Sequence, residues 1–575
     1  MIKSVLYHSQ SLIHNLIARS LIFAPLFLLA IPTLEGSRGF GALSATVSSL
    51  FIIVASYFLF AVFVWLALRL VSNIRLIHVV CALSLAFSVV LFVDNSFQLV
   101  DKALGATQFY TDATMYGKAA LGLATVALAA VVLGAALWPI LAMASSAILV
   151  FALASVAITL AKPSYSPEFV DFEKPPFVLA ANTEDERRTR VIIILDGLLG
   201  KGGVDRSLEG GAEYVKAIDA LSAEHGLVVV PDAISAYPAT RSSIPAALNG
   251  LWDKSPADVS AAFSEIDGGT STLTANRLFD HVLSQDHGVQ VYQTPYINYC
   301  GHAAVYVCKT LNIFDGNNDW IAPQYRVGFF GMGFVTLRKI YANTAVMKYL
   351  LSAAHRAAEK VGSWLGNGSV FIPKDAAFGS LSMPKLLEQV ADAALAAKPG
   401  TLLFVHVLAP HYPYLLNKRC ERAAQWYPFP RQITEIQGLH GQRLNKSREE
   451  HYVSYFSQAI CVVDQLNKLM KSMDKNGQNI DVVFMSDHGS RISAGATSNF
   501  IGSRDLIDNY SAFFAYRTQN AEVEPSKTLV QHLIMAAQGI KITSSARRAI
   551  QQYVWVPATD GTGFVQMTVK FPIHN

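Results

Sequence analysis

The first 162 residues set the hardest constraint on this chain, because charge almost never interrupts them. Apolar stretches near 16–34, 46–68, 76–93, 118–137 and 140–161 each approach the ~20 residues that cross a bilayer as a helix. Five spans are therefore expected, within one either way. The last two meet at Trp138-Pro139, as a tight helical hairpin or with one boundary misplaced. Lys3 and Arg19 flank the first span, and Arg69 and Arg75 lie between the second and third. Glu35, Asp94, Asp101 and Asp112 occupy the first and third loops, so the positive-inside rule puts the N-terminus in the cytoplasm. Everything after a fifth span then lies outside. A cleaved signal peptide is not expected, since the first segment has the length of a span and more spans follow.

The whole-chain averages, 52% hydrophobic with mean hydropathy +0.32, hide a second half with the composition of a soluble enzyme. Residues 163–189 hold Pro163, Pro167, Pro175 and Pro176, then Glu184-Asp185-Glu186-Arg187-Arg188, and read as a linker. From Arg190 onward apolar runs alternate with amphipathic ones. Strands are expected at 190–195, 226–230, 289–293, 401–407, 480–485 and 511–516. Helices are expected at 211–224, 241–249, 272–285, 344–361, 383–396, 448–474 and 526–538. That alternation implies an α/β sandwich with a mainly parallel sheet over residues 190–575, long enough for a large core. A net charge of +4 gives no reason to expect nucleic acid.

Two of the apolar runs end in chemistry. Arg190-Val191-Ile192-Ile193-Ile194-Leu195 delivers Asp196 and Gly197, and Asp481-Val482-Val483-Phe484-Met485-Ser486 delivers Asp487, His488 and Gly489. In open α/β sheets, ligands bind at the C-terminal ends of such buried strands. Two carboxylates and one imidazole suit a divalent metal, zinc or manganese, rather than calcium or a thiolate site. Thr240 follows Tyr237-Pro238 and opens a helix. It serves either as an N-cap or as a hydroxyl beside a cation, able to attack phosphorus. Arg241 can add a guanidinium for phosphoryl oxygens. In Thr401-Leu402-Leu403-Phe404-Val405-His406-Val407-Leu408-Ala409-Pro410-His411, His406 reads as a core histidine. His411, beyond the strand, can reach a phosphoryl oxygen or a leaving alkoxide. Lys201 and Arg491 read as salt-bridging surface residues, and Trp252, Trp320 and Trp364 as packing or an acceptor groove.

Of five cysteines, Cys81 lies within a span as a small hydrophobe. Cys300, Cys308, Cys420 and Cys461 allow three pairings, of which the local one, Cys300–Cys308 with Cys420–Cys461, is the expectation. Disulfides persist outside the cytoplasm, in agreement with the span count.

Together these motifs resemble the alkaline phosphatase/sulfatase superfamily. Within it they look most like the membrane-anchored phosphoethanolamine and phosphoglycerol transferases and lipoteichoic acid synthases. Thr240-Arg241-Ser242-Ser243-Ile244-Pro245 is similar to the Thr-Ala-x-Ser-x-Pro stretch of the phosphoethanolamine branch. Asp487-His488-Gly489 is similar to the superfamily's metal motif, and His411 to a substrate-side His-x-Pro. The resemblance implies a five-helix transmembrane bundle (1–162) and an alkaline-phosphatase-like catalytic domain (190–575) on the periplasmic side of a bacterial inner membrane. It also implies Thr240 as nucleophile, one metal on Asp196, Thr240, Asp487 and His488, a phospholipid donor, and a glycan or glycolipid acceptor. Two departures stand out. Asp196 stands where the transferases carry Glu, and no cysteines flank the Thr240 motif. No histidine lies between His488 and His532, so a single-metal site is expected.

The expected function is transfer of a phospholipid-derived phosphoryl head group through a phospho-Thr240 intermediate. A membrane-bound phosphodiesterase or sulfatase is the alternative enzyme. Sulfatases generally need Cys/Ser-x-Pro-x-Arg, and no such order surrounds Thr240. A catalytically inactive envelope scaffold is the alternative without chemistry.

Overall fold

A computed structural model describes residues 172–173, 188–260, 263–265, 271–285, 287–294, 296–311, 377–412, 414–421, 442–475, 480–492, 503–518, 529–537, 553–557 and 564–568. The five expected spans, the helix expected at 344–361, Trp320 and Trp364 lie outside these residues. Among the described residues no helix is long and apolar enough to cross a membrane.

Thirteen strands are described: β1 Phe172–Glu173, β2 Arg190–Leu195, β3 Val228–Val229, β4 Phe263–Glu265, β5 Ser271–Leu273, β6 Val289–Gln293, β7 Ile297–Asn298, β8 Val305–Thr310, β9 Leu402–Val407, β10 Asp481–Ser486, β11 Phe514–Arg517, β12 Tyr553–Pro557 and β13 Phe564–Thr568. The helices are α1 Gly211–His225, α2 Thr240–Asn249, α3 Pro256–Ser260, α4 Arg277–Ser284, α5 Ala377–Ala396, α6 Gln442–Asp474, α7 Ser503–Tyr510 and α8 Val530–Ala537.

Eight strands form one sheet in the order β1-β8-β6-β9-β2-β10-β11-β3. Its centre is parallel, from β8 through β6, β9 and β2 to β10, and the pairs at both edges are antiparallel. This is the expected mainly parallel sheet. Val191 through Leu195 have no exposure at all, as a strand covered on both faces requires. Ile192, Ile194, Val291, Phe404 and Met485 pack in one cluster with Ile244 of α2, Leu278 and Phe279 of α4, and Leu533 of α8. By strand alternation Val191 and Ile193 face the other way. On that side α6 packs against α1 and α5.

Several elements depart from expectation. Phe172 and Glu173, inside the expected linker, pair with Val307 and Cys308 at the sheet edge. The helix expected over 272–285 is β5 followed by the shorter α4, whose N-cap Asn276 accepts from the Phe279 amide at 3.1 Å. Strand β8 was not expected, because Lys309 and Thr310 cut its apolar run short. The four cysteines pair as Cys300–Cys308 and Cys420–Cys461. The first joins the end of β7 to β8, and the second ties the segment before residue 421 to α6.

Phe404 sits at the middle of the core, its ring edge-on to Phe279 (5.2 Å) and Tyr299 (4.9 Å). Replacing a fully buried phenylalanine leaves a cavity that rigid strands cannot close. Phe404→Ala should therefore cost about 3–5 kcal/mol, read as a fall in urea midpoint with the slope unchanged. A loss under about 1 kcal/mol would mean this part of the core is loosely packed.

Candidate functional site

The site begins with register. Leu195 of β2 lies opposite Ser486 of β10 in a parallel pair, so the residues that follow, Asp196 and Asp487, emerge side by side. On the other flank of β2, Leu195 pairs with Val407 of β9, whose continuation carries His411. Three adjacent strands thus deliver four polar residues to one end of the sheet.

Local hydrogen bonds then aim the side chains. The amides of Gly197 (3.1 Å) and His488 (3.0 Å) both donate to Asp487 Oδ1, leaving Oδ2 turned away from them. Gly197 takes a φ of +77°, in the left-handed region that costs glycine least. At Gly489 a Cβ would meet the Asp508 carbonyl oxygen at 2.0 Å, so only glycine lets the chain pass there. Ser486 Oγ accepts from the Leu198 amide and donates to the His488 carbonyl, cross-linking the two strand ends. Tyr455 of α6 secures the same turn, donating to the Gly197 carbonyl and accepting from the Leu199 amide.

His488 Nδ1 lies 2.7 Å from the Gly489 carbonyl oxygen, which can only accept. The proton is thereby placed on Nδ1, and the Nε2 lone pair faces the site. Three oxygens surround that nitrogen: Asp196 Oδ1 at 3.2 Å, Asp487 Oδ2 at 3.3 Å and Thr240 Oγ1 at 3.2 Å. One nitrogen cannot satisfy them all, and those two carboxylate oxygens have no hydrogen-bond partner despite complete burial. Asp196, Asp487 and His488 each offer one ligand atom, all within 4.8 Å of one another. Inward-facing acceptors without a donor, gathered around one point, fit a divalent cation.

Burial alone would raise the Asp196 carboxyl. The imidazoles of His411 and His488 and the guanidinium of Arg491 outweigh it and hold the group below the ordinary carboxylate range. Burial also lowers the His411 imidazole; Asp196 pulls against that and Arg491 reinforces it.

Thr240 is the first residue of α2 and is 3% exposed. It does not cap the helix; Ala239 holds that position, without a side-chain capping bond. A buried network that sequence reading did not find anchors this turn. Gln531 Nε2 donates to Ser235 Oγ and Ser243 Oγ (3.1 Å each), Gln531 Oε1 accepts from the Ala236 amide, and Ser243 Oγ donates to the Asp487 carbonyl. The hydroxyl helix and the carboxylate strand are thus bonded directly. A polar Gln at 531, in an otherwise apolar helical face, was the one available signal.

Of the other residues weighed, His406 is fully buried with Nδ1 3.2 Å from the Tyr299 hydroxyl, a core histidine as expected. Trp252 packs with Tyr237, Leu529 and Val554. Lys201 pairs with Asp219. Arg491 contacts His411 rather than a carboxylate: its Nη2 donates to Nε2 at 2.9 Å.

The Sulfatase family model matches residues 188–533, more than half of the chain. The chain belongs to the sulfatase family. Among solved structures, the C-terminal periplasmic domain of EcEptC from Escherichia coli, in complex with Zn, is 14% identical with a TM-score of 0.37, covering 68% of this chain and 96% of that one. The C-terminal periplasmic domain of the phosphoethanolamine transferase EptC from Campylobacter jejuni is 11% identical with a TM-score of 0.33, covering 64% and 92%. The integral membrane lipooligosaccharide phosphoethanolamine transferase A (EptA) from Neisseria meningitidis is 13% identical with a TM-score of 0.36, covering 90% and 95%. No curated protein matches.

Because the two unpartnered carboxylate oxygens destabilise the metal-free site, zinc or manganese should raise the melting temperature over that of the chelator-treated protein. A hundredfold excess over Kd corresponds to about 2.7 kcal/mol. Asp487→Asn should abolish the increment; an equal increment in that variant would place the bound ion elsewhere.

Proposed function

We propose that this sulfatase-family protein is a metal-dependent phosphotransferase that moves a phospholipid-derived head group, phosphoethanolamine or phosphoglycerol, onto an envelope glycan or glycolipid. The observation that carries the reading is the Thr240 hydroxyl lying 3.2 Å from His488 Nε2, one of the three ligand atoms gathered from Asp196, Asp487 and His488. Those three residues, with Thr240 Oγ1, would hold one divalent cation, zinc or manganese. Bound there, the cation would supply positive charge that lowers the pKa of an adjacent hydroxyl and offsets charge on phosphoryl oxygens.

Thr240 Oγ gives up its proton and forms a bond to phosphorus, and the bond from phosphorus to the diacylglycerol oxygen breaks. The departing alkoxide takes up a proton. In the second half an acceptor hydroxyl attacks phosphorus, the bond to Thr240 Oγ breaks, and Thr240 regains its proton. The α2 N-terminus directs its dipole toward the phosphoryl group, with Arg241 and His411 on the substrate side. Family membership supports the phosphate or sulfate ester class. Thr240, in place of a formylglycine precursor, favours phosphorus over sulfur. The apolar stretches before residue 162 would be the membrane domain, residues 163–189 the connection, and 190–575 the catalytic domain on the periplasmic face.

Incubation with a phospholipid labelled in its head group should yield diacylglycerol and a protein adduct on the peptide containing Thr240, discharged by a glycolipid acceptor. Thr240→Ala should lose at least about 10³-fold in rate with metal content and melting temperature intact, in keeping with removal of a covalent nucleophile. Wild-type turnover in Thr240→Ala would eliminate the covalent route. Label released only to water would make the protein a hydrolase.

A further inference from the structure

Arg491 is a cation beside this site with no part in the proposed transfer. It is held with unusual care. The backbone takes a φ of +56°, which a non-glycine residue rarely adopts and which is retained where the surroundings impose it. Those surroundings are visible. The Gly489 amide donates to the Asn509 carbonyl, Ser490 Oγ donates to Asp508 Oδ1, and the Arg491 amide donates to the Asp508 carbonyl. Asp508 Oδ1 in turn accepts from Tyr452 of α6 at 2.6 Å. Three consecutive residues after His488 are thereby pinned to the end of α7.

The guanidinium so presented makes no ion pair among the described residues. Its partner is the His411 imidazole. His411 Nδ1 lies 2.7 Å from the Tyr412 carbonyl oxygen and must donate to it, so Nε2 is the acceptor for Arg491. The chain of bonds runs from guanidinium to imidazole to carbonyl. Both ring nitrogens of His411 are occupied, and neither offers a proton to a ligand. Arg491 nevertheless stands close to the metal-ligand cluster, three residues beyond His488 and bonded to His411. Its field reaches Asp196, and together with Arg241 it opposes the rise that burial and Asp196 impose on the Tyr296 phenol. A guanidinium has five N–H donors, and the bond to His411 uses one.

We infer that Arg491 binds a non-bridging oxygen of the anionic phosphodiester, and that His411 is a positioning residue that orients the guanidinium. This rests on the phosphodiester reading of the site and deepens it. The occupant is an oxyanion in a fixed orientation, because a fork with one tine tied leaves an adjacent pair of N–H groups directed along one plane.

The test uses the full chain loaded with zinc and the unlabelled diester dimethyl phosphate, followed by calorimetry. Arg491→Gln should weaken binding roughly 10- to 100-fold, the scale of one charge-assisted hydrogen bond, with zinc stoichiometry and melting temperature unchanged. Arg491→Lys should fall between, keeping charge without the fork. His411→Gln, whose amide oxygen can still accept from the guanidinium, should keep more of the affinity than His411→Ala, which moves toward Arg491→Gln. A second readout compares methyl p-nitrophenyl phosphate with methyl phenyl phosphate. Loss of an oriented anion seat slows both alike, whereas loss of a general acid penalises the poorer leaving group. Wild-type affinity in Arg491→Gln with zinc bound, or no affinity of the wild-type protein for dimethyl phosphate, would overturn the inference. A leaving-group-dependent defect in His411→Ala would overturn the positioning role. Diester that binds through Arg491 but is never transferred would instead remove the transferase reading alone.

Discussion

Everything at this site depends on two carboxylates buried side by side. Asp196 and Asp487 reach the same point because β2 and β10 run parallel in register, and the core on both faces prevents either strand from sliding. At 4.8 Å, the outer limit of the ligand spacing, two like charges repel by about 3.5 kcal/mol at an effective dielectric of 20. Desolvation adds to that. A proton or a cation must offset the cost, and the hydrogen-bond pattern favours the cation. The Gly489 carbonyl holds one His488 proton on Nδ1, so that Nε2 can bring a third lone pair to a cation bound in the cluster.

The same economy explains how the Thr240 hydroxyl is held. A helix N-terminus frays unless something ties its first turn. Here the tie runs through Ser243, Ser235 and Gln531, and its far end is the Asp487 backbone. The helix that opens at Thr240 and the strand that ends at Asp487 therefore share one buried network, and movement of either is felt by the other. Such networks hold geometry only when every member is satisfied. Burial of Gln531, Ser235 and Ser243 at zero exposure keeps water from competing for those bonds.

Strand ends were legible because buried parallel strands advertise themselves as unbroken β-branched runs, and Asp196, Asp487 and His488 each sit one or two residues beyond such a run. Thr240 was legible from the Tyr237-Pro238 break before it, and its partnership with the other three followed from family resemblance. Strands β5, β7 and β8 were not, since short or charge-interrupted segments lose the period that identifies them. The edge strand Phe172–Glu173 is two residues long, set among prolines, and paired only because β8 offers a free edge. Arg491 was hidden for a different reason. Two residues past Gly489 it looks like any loop arginine. Only the fold reveals that its partner, His411, comes from 80 positions upstream.

In the proposed reaction, the oxyanion seat at Arg491 and the Thr240 nucleophile make separate demands on substrate. A phosphodiester and a sulfate monoester carry the same single negative charge, so a guanidinium fork alone does not separate them. The separation lies in Thr240. An alcohol esterified to phosphorus can leave only when another oxygen attacks that phosphorus, so making and breaking the intermediate are the same displacement run in opposite directions. One set of groups then serves both halves. In the proposed transfer the acceptor would enter where the lipid alkoxide departs, and Arg491 would grip the same non-bridging oxygen throughout. Transfer rather than hydrolysis becomes a matter of occupancy, decided by whether a hydroxyl of the acceptor or water reaches that face first.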